Sequence, residues 1–169
     1  MILAPATKLA GTIAAELAQF CDCIEIAGSI RRRRANVNDI DIVCLPKPDQ
    51  REALRERCKR NSKVVTDGAQ NLTVVLPKIN FQLDLWIATP GSADMFDPKP
   101  CNFGSLLLCR TGSKDHNIWL VSQAAAMGLR WNPYWGVFDG HGKCLAAETE
   151  EDIFKTLKLD FIPPERRER

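Results

Sequence analysis

Apolar residues recur at Leu9, Ile13, Leu17 and Phe20, spaced three or four apart, and this spacing predicts an amphipathic helix over residues 6–20 that covers one side of a sheet. Past it the pattern shortens to strand length. Residues 23–27 predict a short strand, and residues 39–45 a second that is closed by Pro46 and Pro48. Residues 49–60 are polar and rich in helix formers, with Leu54 and Cys58 on one face. Residues 63–67 and 72–76 predict two strands folded into a hairpin by the Asp67-Gly68 turn. In residues 81–87 the odd-numbered positions are apolar, whereas Gln82, Asp84 and Trp86 share the opposite face. Thr89-Pro90-Gly91 ends this half of the chain.

The second half predicts a different layout. From about Ser92 the pattern is helical, with Phe103, Leu106 and Leu107 leading to the turn Thr111-Gly112-Ser113. Another helix carries Ile118, Leu120, Val121 and Ala124, and stops at Gly128. Residues 131–138 predict strand and turn, and residues 139–142 a loop. Thr149 and Asp152 form a capping box that opens a short helix over 150–157, ahead of Pro163-Pro164. Two such halves predict an α+β chain made of one compact domain or two small ones packed together.

Composition changes this picture little. At 169 residues, with 45% apolar and 26% charged, the chain can bury a core of its own. No apolar run approaches the ~18 residues of a membrane span, and the first eleven residues lack the basic flank and long apolar block of a signal peptide. The expectation is a soluble, cytoplasmic protein with no membrane contact. Seven cysteines without zinc-like spacing predict reduced, mostly buried thiols. A net charge of +2 does not by itself announce nucleic-acid binding, so placement matters more. The basic residues concentrate in 31–34, 51–60 and 166–169.

The chemistry begins in the stretch 28–41, where a Gly28-Ser29 turn and the run Arg31-Arg32-Arg33-Arg34 precede Asp39 and Asp41. Free backbone N–H groups and guanidinium forks suit a triphosphate. Carboxylates spaced i, i+2 on a strand face one way and can share a divalent cation. Asp84, in mid-strand, is costly to bury without a partner and supplies a third carboxylate. Together Asp39, Asp41 and Asp84 describe a two-metal nucleotidyl-transfer site, with Asp39 and Asp41 bridging two Mg²⁺ ions and Asp84 completing the shell of one. Any one of these aspartates alone reads equally as a turn residue or ion-pair partner; the set, at this spacing from Gly28-Ser29, does not. In the arginine run only Arg32 is assigned a specific role, and Arg33 and Arg34 read as surface charge. His116 and His141 read as incidental. Trp119, Trp131 and Trp135 read as packing residues, with base stacking as the alternative.

These residues resemble the family X DNA polymerases. The likeness runs from Gly28-Ser29-x-Arg31-Arg32 through Asp39-x-Asp41 to Leu83-Asp84-Leu85. It returns at Thr111-Gly112-Ser113 with Asn117, and ends in residues 148–154 and 162–168. The resemblance implies a nucleotidyltransferase palm over residues 1–90, a mixed β-sheet with flanking helices, and a small α/β thumb over 91–169. It implies that Ser29 and Arg32, on the Gly28 turn, bind an incoming nucleoside triphosphate. Asp39, Asp41 and Asp84 become metal ligands for two Mg²⁺ ions, with Mn²⁺ as a substitute. Gly112 and Ser113 line the sugar of the nucleotide, and Asn117 touches its base or sugar. The implied activity is transfer of a nucleotide to a DNA 3′-hydroxyl in repair, on primer-template or gapped DNA. A template-independent or RNA-directed transferase, and a non-catalytic nucleotide- or DNA-binding module, stay open as alternatives.

The sequence also departs from the family. The palm pattern begins within the first twenty residues, so the lyase and fingers regions that hold gapped DNA in repair members are expected to be missing. A protein partner that replaces them, and weak or strongly salt-sensitive DNA binding, are the corresponding expectations. Cys109-Arg110 stands where many members have an aromatic pair, which implies looser exclusion of ribonucleotides. Gln82 stands where the best-known member has a basic residue, and Lys114 and Val121 replace residues that contact nucleotide or template there.

Overall fold

The computed structural model describes residues 1–92 and 99–168. The chain divides into two compact units, Met1–Ile87 and Ala88–Arg169.

The first unit is a five-stranded sheet in the order β1-β2-β5-β4-β3. Its strands are β1 (Cys21–Ile26), β2 (Asp39–Pro46), β3 (Lys63–Asp67), β4 (Asn71–Leu76) and β5 (Phe81–Ile87). The sheet is mixed: β2 and β5 are parallel, and the other neighbours are antiparallel. Helix α1 (Leu3–Leu17) continues as a short 3-10 turn, Ala18–Phe20, and begins three residues ahead of the helix read from the apolar spacing. Pro5 is tolerated there because the first turn has no intrahelical acceptor for its missing N–H. Between β1 and β2 the Gly28-Ser29 segment forms a single helical turn, α2 (Gly28–Arg31), and α3 (Arg51–Lys59) follows β2.

Period-two alternation sorts this sheet into two faces. Ile40, Ile42 and Cys44 of β2, Leu83, Leu85 and Ile87 of β5, and Leu72 and Val74 of β4 are buried on one face. They pack with Ala6, Ala10 and Leu17 of α1 and with Leu54 and Cys58 of α3. The opposite face of the central strands carries Asp39, Asp41, Gln82, Asp84 and Trp86. The buried face fixes the register, since a slip of one residue would exchange the two sets.

In the second unit α4 (Phe103–Thr111), α5 (Lys114–Ala126) and α6 (Glu150–Thr156) accompany a meander of β6 (Arg130–Asn132), β7 (Gly136–Phe138) and β8 (Cys144–Ala146). Leu108, Leu120, Trp131, Val137, Ile153 and Phe154 form its core. The third strand was not legible in the sequence: only three residues long, it lacks room for an alternation to show. The helical pattern expected from Ser92 needs correction. Ser92 pairs with Lys99 in an antiparallel bridge, the helix starts at Phe103, and residues 93–98 lie outside the described residues. The Thr149 cap forms as expected, its hydroxyl oxygen accepting from the Asp152 N–H at 3.1 Å.

All seven cysteines are free thiols; Cys21, Cys44 and Cys58 are buried and Cys23 is exposed. Among the described residues no helix is long and apolar enough to cross a membrane.

Candidate active site

The acidic face is built by strand register. Asp39 and Asp41 stand i, i+2 on β2, and Asp41 pairs directly with Asp84 of β5. Neighbouring strands lie about 4.8 Å apart, so the two side chains leave adjacent backbones on the same side. The three predicted carboxylates therefore share one face.

Asp84 and Asp41 accept from neutral donors. Asp84 is buried; its Oδ1 accepts from Thr73 Oγ1 at 2.6 Å and its Oδ2 from Gln82 Nε2 at 2.8 Å. Trp86 Nε1 donates to Asp41 Oδ1 at 3.1 Å. Burial pushes the Asp39 carboxyl above the usual carboxylate range, and the charge of Asp84 pushes the same way, partly offset by a backbone N–H and by Arg32. Desolvation thus leads, and like-charge repulsion from Asp84 adds to it. Gln82 thereby acquires a role: in place of a cation it gives Asp84 an amide donor. Thr73 could not be picked out from sequence, because only the register of β4 on β5, which sets Thr73 opposite Asp84, reveals it.

The Gly28-Ser29 turn closes against these carboxylates. Gly28 has φ +59°, and a Cβ there would come within 2.9 Å of Asp41 Cγ and closer still to its Oδ2. Only glycine combines that backbone with that approach. The Ala27 N–H donates to the Asp41 carbonyl at 2.8 Å, which fastens the turn to β2. Beyond it the Arg34 N–H reaches the Ser29 carbonyl at 2.9 Å, while the Met1 ammonium and the Val37 carbonyl meet at 2.7 Å. The arginine loop is thus tied at both ends, with Arg33 and Arg34 exposed and Arg31 and Arg32 half-buried. Ser29 Oγ is buried with no hydrogen-bond partner. Orphaned buried hydroxyls are rare, and one beside a glycine cradle fits an absent oxygen-rich ligand.

The fit to a hard cation follows from the same face. The donors are all carboxylate oxygens, as Mg²⁺ and Mn²⁺ prefer. Each oxygen engaged by Thr73, Gln82 or Trp86 keeps a further lone pair. As they stand, no three His, Cys, Asp or Glu side chains among the described residues are gathered closely enough to hold an ion. A cation on this face would relieve the repulsion between Asp39 and Asp84.

The second unit brings together the other predicted residues. The α5 N-cap is Ser113, whose Oγ accepts from the His116 N–H at 3.3 Å and donates to the Arg167 carbonyl at 2.7 Å. Asn117 Nδ2 donates to the Cys109 carbonyl at 2.9 Å and lies 3.9 Å from its Sγ, while Asn117 Oδ1 is buried without a partner. Burial raises the Cys109 thiol pKa. Arg110 stacks on Tyr134, its guanidinium carbon 5.3 Å from the ring centroid and its Nη2 donating to the Tyr134 hydroxyl. His116 is buried between Trp119 and Phe154. Trp131 is a core residue, donating from Nε1 to Ser105 Oγ at 2.9 Å, and Trp135 is exposed.

The basic segment 51–60 resolves largely into internal pairs. Arg55 and Lys59 both meet Asp67, Arg57 meets Glu16, and Arg51 donates to the Ala69 carbonyl. Those side chains hold α3 in place.

A mixed sheet with one acidic face in one unit, and helices with a small meander in the other, make this an α+β protein with palm-like and thumb-like parts. The family model of the DNA polymerase beta thumb matches residues 106–168, which supports a family X polymerase-like relationship. No curated protein matches the chain.

Proposed function

We propose that this chain is a nucleotidyltransferase of the family X polymerase type. It moves a nucleotide from a nucleoside triphosphate to a DNA 3′-hydroxyl, releasing pyrophosphate, in DNA repair. The observation that carries this reading is the register of β2 on β5, which sets Asp41 opposite Asp84 and two residues from Asp39. A non-catalytic binding module gains nothing from three costly carboxylates on one face.

Asp39, Asp41 and Asp84 would hold two Mg²⁺ ions. When bound, these supply charge neutralisation at the reacting phosphate and pyrophosphate, and a lower pKa for the attacking hydroxyl. The chain's own contribution is positioning. Ser29 offers its unpartnered Oγ and Arg32 its guanidinium to the triphosphate, in a turn that Gly28 lets approach Asp41. Thr73 and Gln82 hold the Asp84 carboxylate pointed, since both donate to it. In the thumb-like unit Gly112 and Ser113 take the sugar, and Asn117, its amide oriented by Cys109, takes the base or sugar through its free Oδ1. The small Cys109 relaxes exclusion of the ribose 2′-hydroxyl.

Asp84→Ala tests this directly. We expect turnover to fall by on the order of a thousandfold or more while triphosphate binding, followed by tryptophan fluorescence, changes little. Equal turnover by the variant and the wild type would remove Asp84 from the chemistry.

A further inference from the structure

Arg167 is fully buried, four residues past Pro163, in the basic tail 166–169. Its Nη1 donates to Glu150 Oε1 of α6 at 2.6 Å, and Glu150 is itself buried. Its Nε donates to the Ile162 carbonyl at 2.8 Å. The guanidinium carbon lies 5.5 Å from the Phe154 ring centroid and 5.4 Å from that of Phe161. Four neighbours therefore fix the guanidinium: a carboxylate, a carbonyl and two aromatic rings.

This is a poor device for stability. Removing a guanidinium from water is costly, and a buried ion pair often returns less than apolar packing would. Nη2 deepens that cost, being buried without a hydrogen-bond partner among the described residues. What such a pair does supply is geometric definition: a planar fork accepts one orientation.

The geometry it defines reaches the nucleotide-binding turn. The Arg167 carbonyl accepts both the Ser113 hydroxyl at 2.7 Å and the Ser113 N–H at 3.3 Å. Ser113 in turn caps α5: its Oγ accepts from the His116 N–H, and its carbonyl accepts the Asn117 N–H at 3.0 Å. A continuous set of hydrogen bonds thus runs from Glu150 through Arg167 and Ser113 to Asn117.

We infer that Arg167 is a positioning residue for nucleotide binding: its side chain, locked by Glu150 and the Ile162 carbonyl, holds the carbonyl that places Ser113 and, through it, Asn117. The inference rests on the nucleotide role proposed above for Gly112, Ser113 and Asn117. Arg167 touches no substrate and acts through the turn.

The test uses the full chain with Arg167→Met, which keeps bulk and removes the fork, and Glu150→Gln as a milder variant should the first fail to fold. Both are studied at a temperature where near-ultraviolet circular dichroism matches the wild type. We expect amide exchange at Ser113, His116 and Asn117 to quicken at least about tenfold against that of Leu120. The KM for the nucleoside triphosphate should rise about tenfold, with kcat changed less than about threefold, because a displaced turn loses ligand contacts before it loses chemistry. Arg167→Lys, which keeps the charge opposite Glu150, should recover part of the KM. Unchanged exchange in a folded variant would overturn the link between tail and turn. Quickened exchange with an unchanged KM would leave Arg167 a purely structural residue. A wild type that neither binds nor turns over a triphosphate would instead overturn the nucleotide role of the turn, and the inference with it, even with the exchange result intact.

Discussion

Asp39 records the electrostatic state of the acidic face. Its carboxyl is raised first by burial and then by the charge of Asp84. In the folded, metal-free protein it therefore binds its proton more tightly than in the unfolded chain. Stability falls as pH rises from the ordinary carboxylate value through this raised one. Asp39→Asn should accordingly unfold at a higher temperature than the wild type at neutral pH while turnover drops on the order of a thousandfold. A carboxyl titration by NMR in metal-free Asp84→Asn should move the Asp39 pKa downward. An Asp39 pKa unchanged by that substitution would show that the two charges do not meet across the register.

Among the elements, α3 carries the densest basic run and yet directs it inward. Arg55 is buried on Asp67, which Lys59 also reaches, and Arg57 is paired with Glu16. We expect Arg55→Met to lower unfolding free energy by about 1–2 kcal/mol in denaturant titrations, Asp67 retaining Lys59. DNA affinity should be unchanged within error; a severalfold loss would show that α3 faces the nucleic acid. The sequence could count these cations but could not pair them, since Asp67 lies on another element. Strands and helices of six residues or more announced themselves through alternation or helical spacing, as β5 and α5 did. What escaped was whatever depends on register or on short elements: Thr73 against Asp84, the three-residue β8, and the bridge of Ser92 to Lys99. The candidate carboxylates were legible because i, i+2 spacing is a local signal. The tail clamp of Arg167 on Glu150 was not, for seventeen residues separate its partners.

For the whole molecule, part of the basic clustering in the sequence goes into internal contacts. The net charge is only +2, Arg55, Arg57 and Lys59 of α3 pair with Asp67 and Glu16, and Arg167 is buried. Phosphate contacts must then fall to exposed cations such as Arg33 and Arg34. We expect DNA affinity to be modest and to fall tenfold or more between roughly 50 and 200 mM salt, as measured by fluorescence anisotropy. Affinity that barely responds to salt would require apolar or base-specific contacts that no part of this reading supplies. The most direct measurement of the central claim is primer extension by the wild type with Mg²⁺. Gapped, recessed and single-stranded DNA are each supplied with deoxy- and ribonucleotides, alongside Asp84→Ala. We expect template-directed addition on gapped or recessed DNA with one pyrophosphate released per nucleotide, detectable ribonucleotide use, and no product from the variant. Absence of nucleotide transfer to every acceptor, or equal product from wild type and variant, would contradict it.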